Sequence, residues 1–295
     1  MNGLDQILVK MPDIIKDPIQ SLPSEIYDYL EEIRLVIKQP VIIKSSNREI
    51  TLNLNNREVT AELLDIILNN LMNYSTYAYE EELSKGYITI EGGHRVGICG
   101  RVVIKENNIC LIKDISSMNI RRSREITGIA DNLKRDLIDT TRGLQNTVIV
   151  SPPKCGKTTL LRDIIRLLSY SGMRIGVCDE RSEIAGMYRG IPSYDLGPRT
   201  DVLDGCPKAE GMMMLIRSMS PDAVVTDEIG KSEDIEAIES AICCGVKIIT
   251  TIHGRTYEDL LSSVIGRLVE NRVFTRIIFL SNIPSTGTVS EVRYV

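Results

Sequence analysis

Apolar positions along the chain follow two rhythms: short, often alternating runs over residues 24–124, then continuous apolar runs separated by helical spacing from residue 147 onward. In the first region Pro23, Ser24 and Glu25 predict a helix start that carries through about Glu31, with acids in the first turn where the helix dipole favours them. Residues 33–37 and 41–44 predict short strands on either side of Pro40, which cannot donate to a ladder. Leu63, Leu64, Ile67, Leu68 and Leu71 recur at helical spacing and predict an amphipathic helix over 61–72. Strands are predicted at 87–90, 95–104 and 109–115, separated by Gly or Asn turns.

In the second region, strands are predicted at 148–150, 174–178, 223–226 and 247–250, with helices at 158–170, 209–219 and 232–244. Buried strands alternating with helices predict a parallel sheet covered on both faces. The expected class is therefore α/β: a small α/β domain over 1–125, a polar linker over 126–145, and the parallel-sheet domain over 146–295.

Composition narrows the function. With 295 residues, 43% hydrophobic and 25% charged, the chain falls outside the disordered and collagenous classes. It has two Phe and no Trp, so the cores must be aliphatic. A net charge of -5 gives no whole-molecule attraction to nucleic acid, and none is expected as a partner. Seven cysteines without a C-x-x-C spacing, and only two histidines, exclude a structural zinc site and predict buried thiols in a reducing compartment. No signal-peptide pattern opens the chain and no window reaches about 18 apolar residues, so the expected location is the cytoplasm or its face of a membrane.

The strongest chemical signal is Ser151-Pro152-Pro153-Lys154-Cys155-Gly156-Lys157-Thr158, between a predicted strand and a predicted helix. It matches the phosphate-binding pattern G-x-x-x-x-G-K-[ST] except that Ser151 replaces the first glycine. Backbone N–H groups of this loop and of the helix start, through Thr159, would cradle phosphate oxygens. Lys157 would reach the outer phosphates, and the Thr158 hydroxyl would ligate Mg2+. If the first position needs a positive φ, Ser151 carries about 1 kcal/mol of strain.

Acids follow two other predicted strands, and a histidine follows a third. Asp227 is placed to hold Mg2+ through water, and Glu228 to activate the attacking water. Asp179-Glu180 lies at another strand end, Glu180 being the second candidate base; its rival reading is a surface salt-bridge cluster. His253 follows a fourth strand, where a polar group can sense the γ-phosphate. The segment 91–101 is rich in glycine and carries Arg95 and Arg101, with Arg121 beyond it. It reads either as a hairpin with solvated arginines or as a source of positive charge for a phosphate, in the same chain or a neighbour. In the second domain Arg181 and Arg199 are the arginines expected near strand ends.

In order, these motifs resemble the Walker A, Asp box, Walker B and His box of secretion and pilus ATPases. More closely, Gly92-Gly93-His94-Arg95, the run from Asp179 to Gly186, and Leu196-Gly197-Pro198-Arg199-Thr200-Asp201 resemble the stage III sporulation protein AA family, over residues 22–283. The resemblance implies a RecA-like P-loop ATPase domain behind a small N-terminal domain, in a ring, as a hexamer, with ATP between subunits. It implies a role in endospore formation, powering a channel between mother cell and forespore through membrane-embedded partners. Two alternatives share the same loop: a nucleic-acid-dependent ATPase of the RecA or helicase kind, and a scaffold that binds nucleotide without hydrolysing it. The acidic balance counts against the first, and intact Lys157, Thr158, Asp227 and Glu228 against the second.

Overall fold

The computed structural model describes residues 3–46, 48–52, 54, 58–105 and 108–295. By contact the chain divides into two units, Met1–Arg124 with Gly186–Ser193, and Glu125–Ala185 with Tyr194–Val295.

Helices α1 (Gly3–Leu8), α2 (Asp13–Gln20) and α3 (Ser24–Tyr27) open the first unit. Strands β1 (Leu30–Val36), β2 (Val41–Ser45) and β3 (Arg48–Leu52) follow, then helices α4 (Ala61–Leu71) and α5 (Glu80–Ser84). Strands β4 (Tyr87–Ile90), β5 (His94–Lys105) and β6 (Asn108–Arg121) complete an antiparallel sheet in the order β3-β2-β1-β6-β5-β4. Ile88, Val96, Ile120, Ile33 and Ile43 face one another in a single register row, all fully buried. Alternation along each strand thus sends its aliphatic residues to one face of the sheet.

The helix expected to reach Glu31 stops at Tyr27. Residues 30–36 pair with both β2 and β6, and Ile33 and Leu35 enter the core at strand period, so tertiary pairing overrides the local helix signal. Helices α1 and α2, which the apolar pattern does not predict, bury Leu4, Ile7, Leu8, Ile15 and Ile19.

The turn between β4 and β5 explains the Gly-Gly-His run. Gly92 and Gly93 take φ of 86° and 70°, and a Cβ on Gly92 would collide with the Gln6 carboxamide. The His94 ring fills that corner, 1% exposed. Its Nδ1 accepts the Ser123 N–H at 3.0 Å, so the proton sits on Nε2, which donates to Gln6 Oε1 at 3.2 Å. Burial, reinforced by the Arg122 charge, pushes its pKa down to about 4. Between pH 6.5 and about 4 the unfolded chain binds the proton and the folded one does not, so stability falls as pH drops through that window. The expected loss reaches about 3 kcal/mol. Denaturant melts at pH 6.5, 5.5 and 4.5 on the parent and on His94→Gln will check it: the variant should lose most of the slope, and equal slopes would show that His94 is not its source.

In the second unit residues 126–145, expected as a linker, are folded in. Asp163 accepts the N–H groups of Gly128 (3.1 Å) and Ala130 (2.7 Å), and α6 (Lys134–Leu137) leads into a ladder of β7 (Ile138–Asp139) and β8 (Gly143–Leu144). The main sheet then runs through β9 (Thr147–Ser151), α7 (Lys157–Tyr170), β10 (Ile175–Asp179), β11 (Thr200–Asp204) and α8 (Lys208–Met219). It continues through β12 (Ala223–Thr226), α9 (Ser232–Cys243), β13 (Lys247–His253), α10 (Tyr257–Leu261) and α11 (Gly266–Glu270), and ends in β14 (Arg276–Ser281) and β15 (Thr288–Tyr294). Strand order is β11-β10-β12-β13-β9-β14-β15, parallel except for the antiparallel edge strand β15. Strands β9, β10 and β12 are buried along their whole length, as strands covered on both faces must be. Of the seven cysteines, only Cys155 and Cys178 are buried; Cys99, Cys110, Cys243 and Cys244 are exposed, against the expectation of buried thiols.

Candidate functional site

In a parallel sheet the carboxyl ends of the strands share one edge, and ligands bind beyond it. Here the neighbouring strands β10, β12, β13 and β9 deliver Asp179-Glu180, Asp227-Glu228, His253 and the loop after Ser151 to that edge, in that order.

Ser151 is the last residue of β9 and wholly buried, and its Oγ donates to the Pro152 carbonyl at 2.9 Å. Positive φ falls instead on Lys154 (61°) and Gly156 (83°), so the strain expected at Ser151 does not arise. Pro152 is half-buried, Pro153 and Lys154 are exposed, and Cys155 is buried. At Gly156 a Cβ would stand 3.2 Å from Gly287 Cα, in the turn between β14 and β15. Helix α7 begins at Lys157, with Thr158 and Thr159 half-buried in its first turn, whose N–H groups have no intrahelical acceptor. A helix N-terminus behind such a loop is an anion site.

Lys157 is 7% exposed. Its ammonium donates to the Ser151 carbonyl at 3.2 Å and to His253 Nδ1 at 2.9 Å. With Nδ1 accepting, His253 carries its proton on Nε2, which lies 2.6 Å from Glu228 Oε1. Glu228 sits in a left-handed conformation (φ 32°), fixed by its N–H donating to Thr251 Oγ1 at 3.0 Å, and its Oε2 lies 3.4 Å from Arg181. One imidazole therefore ties the loop lysine to the strand-end glutamate. Burial lowers the Lys157 pKa, while the Glu228 charge pulls it back up.

The other acids differ in role. Asp179 is fully buried and accepts the N–H groups of Glu183, Ile184 and Ala185 at 2.8–3.0 Å, so it shapes the loop after β10. Burial pushes its pKa up to about 6 against those hydrogen bonds. The Glu180 carboxylate is paired with Lys208, which the motif reading did not single out. Lys208 follows β11, and the polar run Thr-Asp-Val-Leu-Asp of that edge strand hid both the strand and the residue after it. Asp227 is 3% exposed and its Oδ1 has no hydrogen-bond partner, nor does the buried Thr250 Oγ1.

A buried carboxylate oxygen without a hydrogen bond, at a strand end on the same sheet edge as the Lys-Thr loop, fits a hydrated Mg2+. Among the described residues no group of three or more His, Cys, Asp or Glu is arranged to hold a metal by itself, so phosphate oxygens would have to complete the coordination. A cleft of about 340 Å³ opens between Glu180, Lys208, Glu228, Lys231 and His253. A larger groove of about 780 Å³ runs between α8 and α9, past Met213, Met214 and Arg217, but no strand-end residue lines it.

Arg199 is a correction. Its carbonyl accepts the Ile175 N–H at 2.9 Å, which puts it at the amino ends of β10 and β11, the opposite edge of the sheet. Arg95, Arg101 and Arg121 belong to the first unit. Arg95 and Arg121 are direct cross-strand partners, and Arg95 stacks on Tyr87 at 3.9 Å. Arg101 pairs with Asp114 at 2.9 Å, six residues and about 20 Å further along the hairpin.

The family model for sporulation stage III, protein AA matches residues 12–294. The chain is 43% identical to stage III sporulation protein AA of Bacillus subtilis (strain 168), covering 98% of this chain and 94% of that one. Among solved structures it is similar to the Legionella pneumophila ATPase DotB, with a TM-score of 0.56, 18% identity, and 85% of this chain and 72% of that one covered. The pilus retraction motor PilT, solved with bound ADP, aligns with a TM-score of 0.62 and 15% identity, over 90% of this chain and 76% of that one. The chain shares its α/β fold with these two structures.

Proposed function

Because the chain belongs to the stage III sporulation protein AA family, we propose that it is a Mg2+-dependent ATPase that energises a sporulation-associated, secretion-like channel between mother cell and forespore. The observation that carries the reading is the line of close polar contacts from Lys157 through His253 to Glu228. It joins an ammonium able to reach phosphate to a carboxylate able to take a proton from water.

In this reading the loop from Ser151 through Pro152, Pro153, Lys154, Cys155 and Gly156 to Lys157, Thr158 and Thr159 holds the phosphates of ATP. Thr158 and Asp227 are the metal-side residues; bound with nucleotide, Mg2+ would neutralise charge on the phosphate oxygens. Glu228 is the general base and Glu180 the reserve. His253 changes partners when a γ-phosphate draws Lys157 away. The protein acts as a ring, a hexamer, at the cytoplasmic face of the membrane, on membrane-embedded channel proteins and without nucleic acid.

The test is hydrolysis of ATP by the purified full-length protein with and without Mg2+, alongside sedimentation with and without nucleotide. Turnover that needs Mg2+ supports the reading; a folded protein that binds nucleotide without turning it over sinks it.

The same ring assigns work to the first unit. At least one of Arg95, Arg101 and Arg121 contacts nucleotide in the assembled ring. Arg95 and Arg121 lie directly opposite each other across β5 and β6, and Glu32 of β1 lies opposite Arg121 on its other side. Ala variants of these arginines should bind ATP yet hydrolyse about 10³- to 10⁵-fold slower. Mixing one with Lys157→Ala protein should restore part of the activity if the arginine acts across subunits. Parental rates in all three variants would leave the hairpin without a catalytic part.

A further inference from the structure

Lys208 opens α8 with its side chain only 5% exposed. Its ammonium is paired with the Glu180 carboxylate and stands 3.6 Å from Asp227 Oδ1. At that distance the second contact is a charge attraction, not a hydrogen bond, which is why Oδ1 counts as unpartnered although a cation faces it. Asp234 also acts on Lys208, and Asp179, Glu183 and Glu228 act on Asp227. Among the described residues, the other cations near these acids are Arg181, paired with Glu228, Lys231 near Glu180, Lys157 near Glu228 and Arg162 near Asp179. A buried ammonium persists only where carboxylates compensate it, and here one of the compensating groups is the carboxylate that the functional reading gives to the metal. Asp227 thus has one cation fixed to the chain and another that arrives from solution.

We infer that Lys208 is a positioning residue: a resident counter-ion that holds Asp227 and Glu180 in place before nucleotide arrives and keeps a free divalent cation out, so that the metal enters as its nucleotide complex. The inference rests on reading Asp227 as the metal-side carboxylate. With Lys208 in place the acids at the strand ends are partly neutralised, so an anionic nucleotide is repelled less. A lone dication drawn to Asp227 meets the Lys208 ammonium, which stands 3.6 Å from Oδ1 and is itself buried. At an effective dielectric of about 20, removing that ammonium should strengthen dication binding by at least about tenfold.

The experiment titrates Mn2+ into nucleotide-free, full-length protein and follows the free ion by electron paramagnetic resonance. Parent protein should bind Mn2+ at least about tenfold more weakly alone than with ADP present. Lys208→Met and Lys208→Gln should bind Mn2+ alone at least about tenfold tighter than parent, and adding Asp227→Asn should erase the gain. Lys208→Arg, which keeps the charge, should stay near the parent. Gln keeps an N–H for Glu180, so it serves if the Met variant does not fold. Folded neutral variants with parental Mn2+ affinity overturn the inference, as does a Lys208→Arg protein that binds Mn2+ as tightly as Lys208→Met. A parent that binds Mn2+ equally well with and without ADP overturns it whatever the variants do. A parent that binds Mn2+ and ADP but never hydrolyses ATP sinks the enzyme reading instead, and leaves the Mn2+ comparison to decide the role of Lys208.

Discussion

Lys157→Ala protein should fold and fail to hold nucleotide. The side chain is almost wholly enclosed, and its hydrogen bonds go to carbonyls of its own loop and to His253. Nothing in the apolar core depends on it, so the truncation leaves a small polar gap rather than a cavity among aliphatic residues. What is lost is a charge-assisted contact to phosphate, worth about 1.5–3 kcal/mol, or roughly 10- to 150-fold in affinity. Hydrolysis should fall further, because negative charge grows on the phosphate oxygens as the bond breaks. Calorimetric titration with ATP and Mg2+, beside a thermal melt, separates the two effects. Parental affinity in a folded variant would remove the loop from the nucleotide site.

Glu228→Gln protein should show the opposite pattern: parental binding and a turnover lower by about 10²- to 10⁴-fold. The amide keeps the shape of the carboxylate and its place beside His253 Nε2, and its backbone carries the same left-handed cost. It cannot take a proton from water. The neighbouring acid is a weaker candidate because Glu180 is clamped by Lys208, which lowers its pKa against the raising effect of burial. Single-turnover measurement with saturating ATP reads the chemical step directly. A fall smaller than about tenfold in Glu228→Gln, with a large one in Glu180→Gln, would exchange the two roles.

The legible parts of this molecule were those where local chemistry and tertiary demand agree. Apolar runs of the second unit end at acids or at the Gly-Lys-Thr turn, so their parallel register follows from the pattern, and β12 falls on the residues the pattern marks, 223–226. The edge strands were not legible. Strand β11 is polar along much of its length, and β14 and β15 follow the last marked strand with no chemical motif to flag them. Missing β11 had a price at the site, since it concealed Lys208 and left Arg199 apparently free to sit at the wrong edge. In the first unit α1 and α2 escaped because both are short and α2 carries no side-chain N-cap bond; what holds them is the core they cover. Ser151 shows the reverse case, a departure from a pattern whose expected backbone strain does not arise, because positive φ falls on Lys154 and Gly156 instead.

The segment Gly186–Ser193 leaves the loop shaped by Asp179 and packs with the first unit, where the Tyr188 hydroxyl accepts from the Asn73 amide at 3.0 Å and its ring lies against the buried cluster. The chain therefore passes from one unit to the other three times, at residues 124–125, 185–186 and 193–194. In packing there are two modules; in the gene there is no single cut that frees either. A fragment ending at residue 124 would lack Tyr188, and one starting at 125 would carry an eight-residue loop torn from its packing. Recombination that exchanges first units between relatives must then exchange this loop as well.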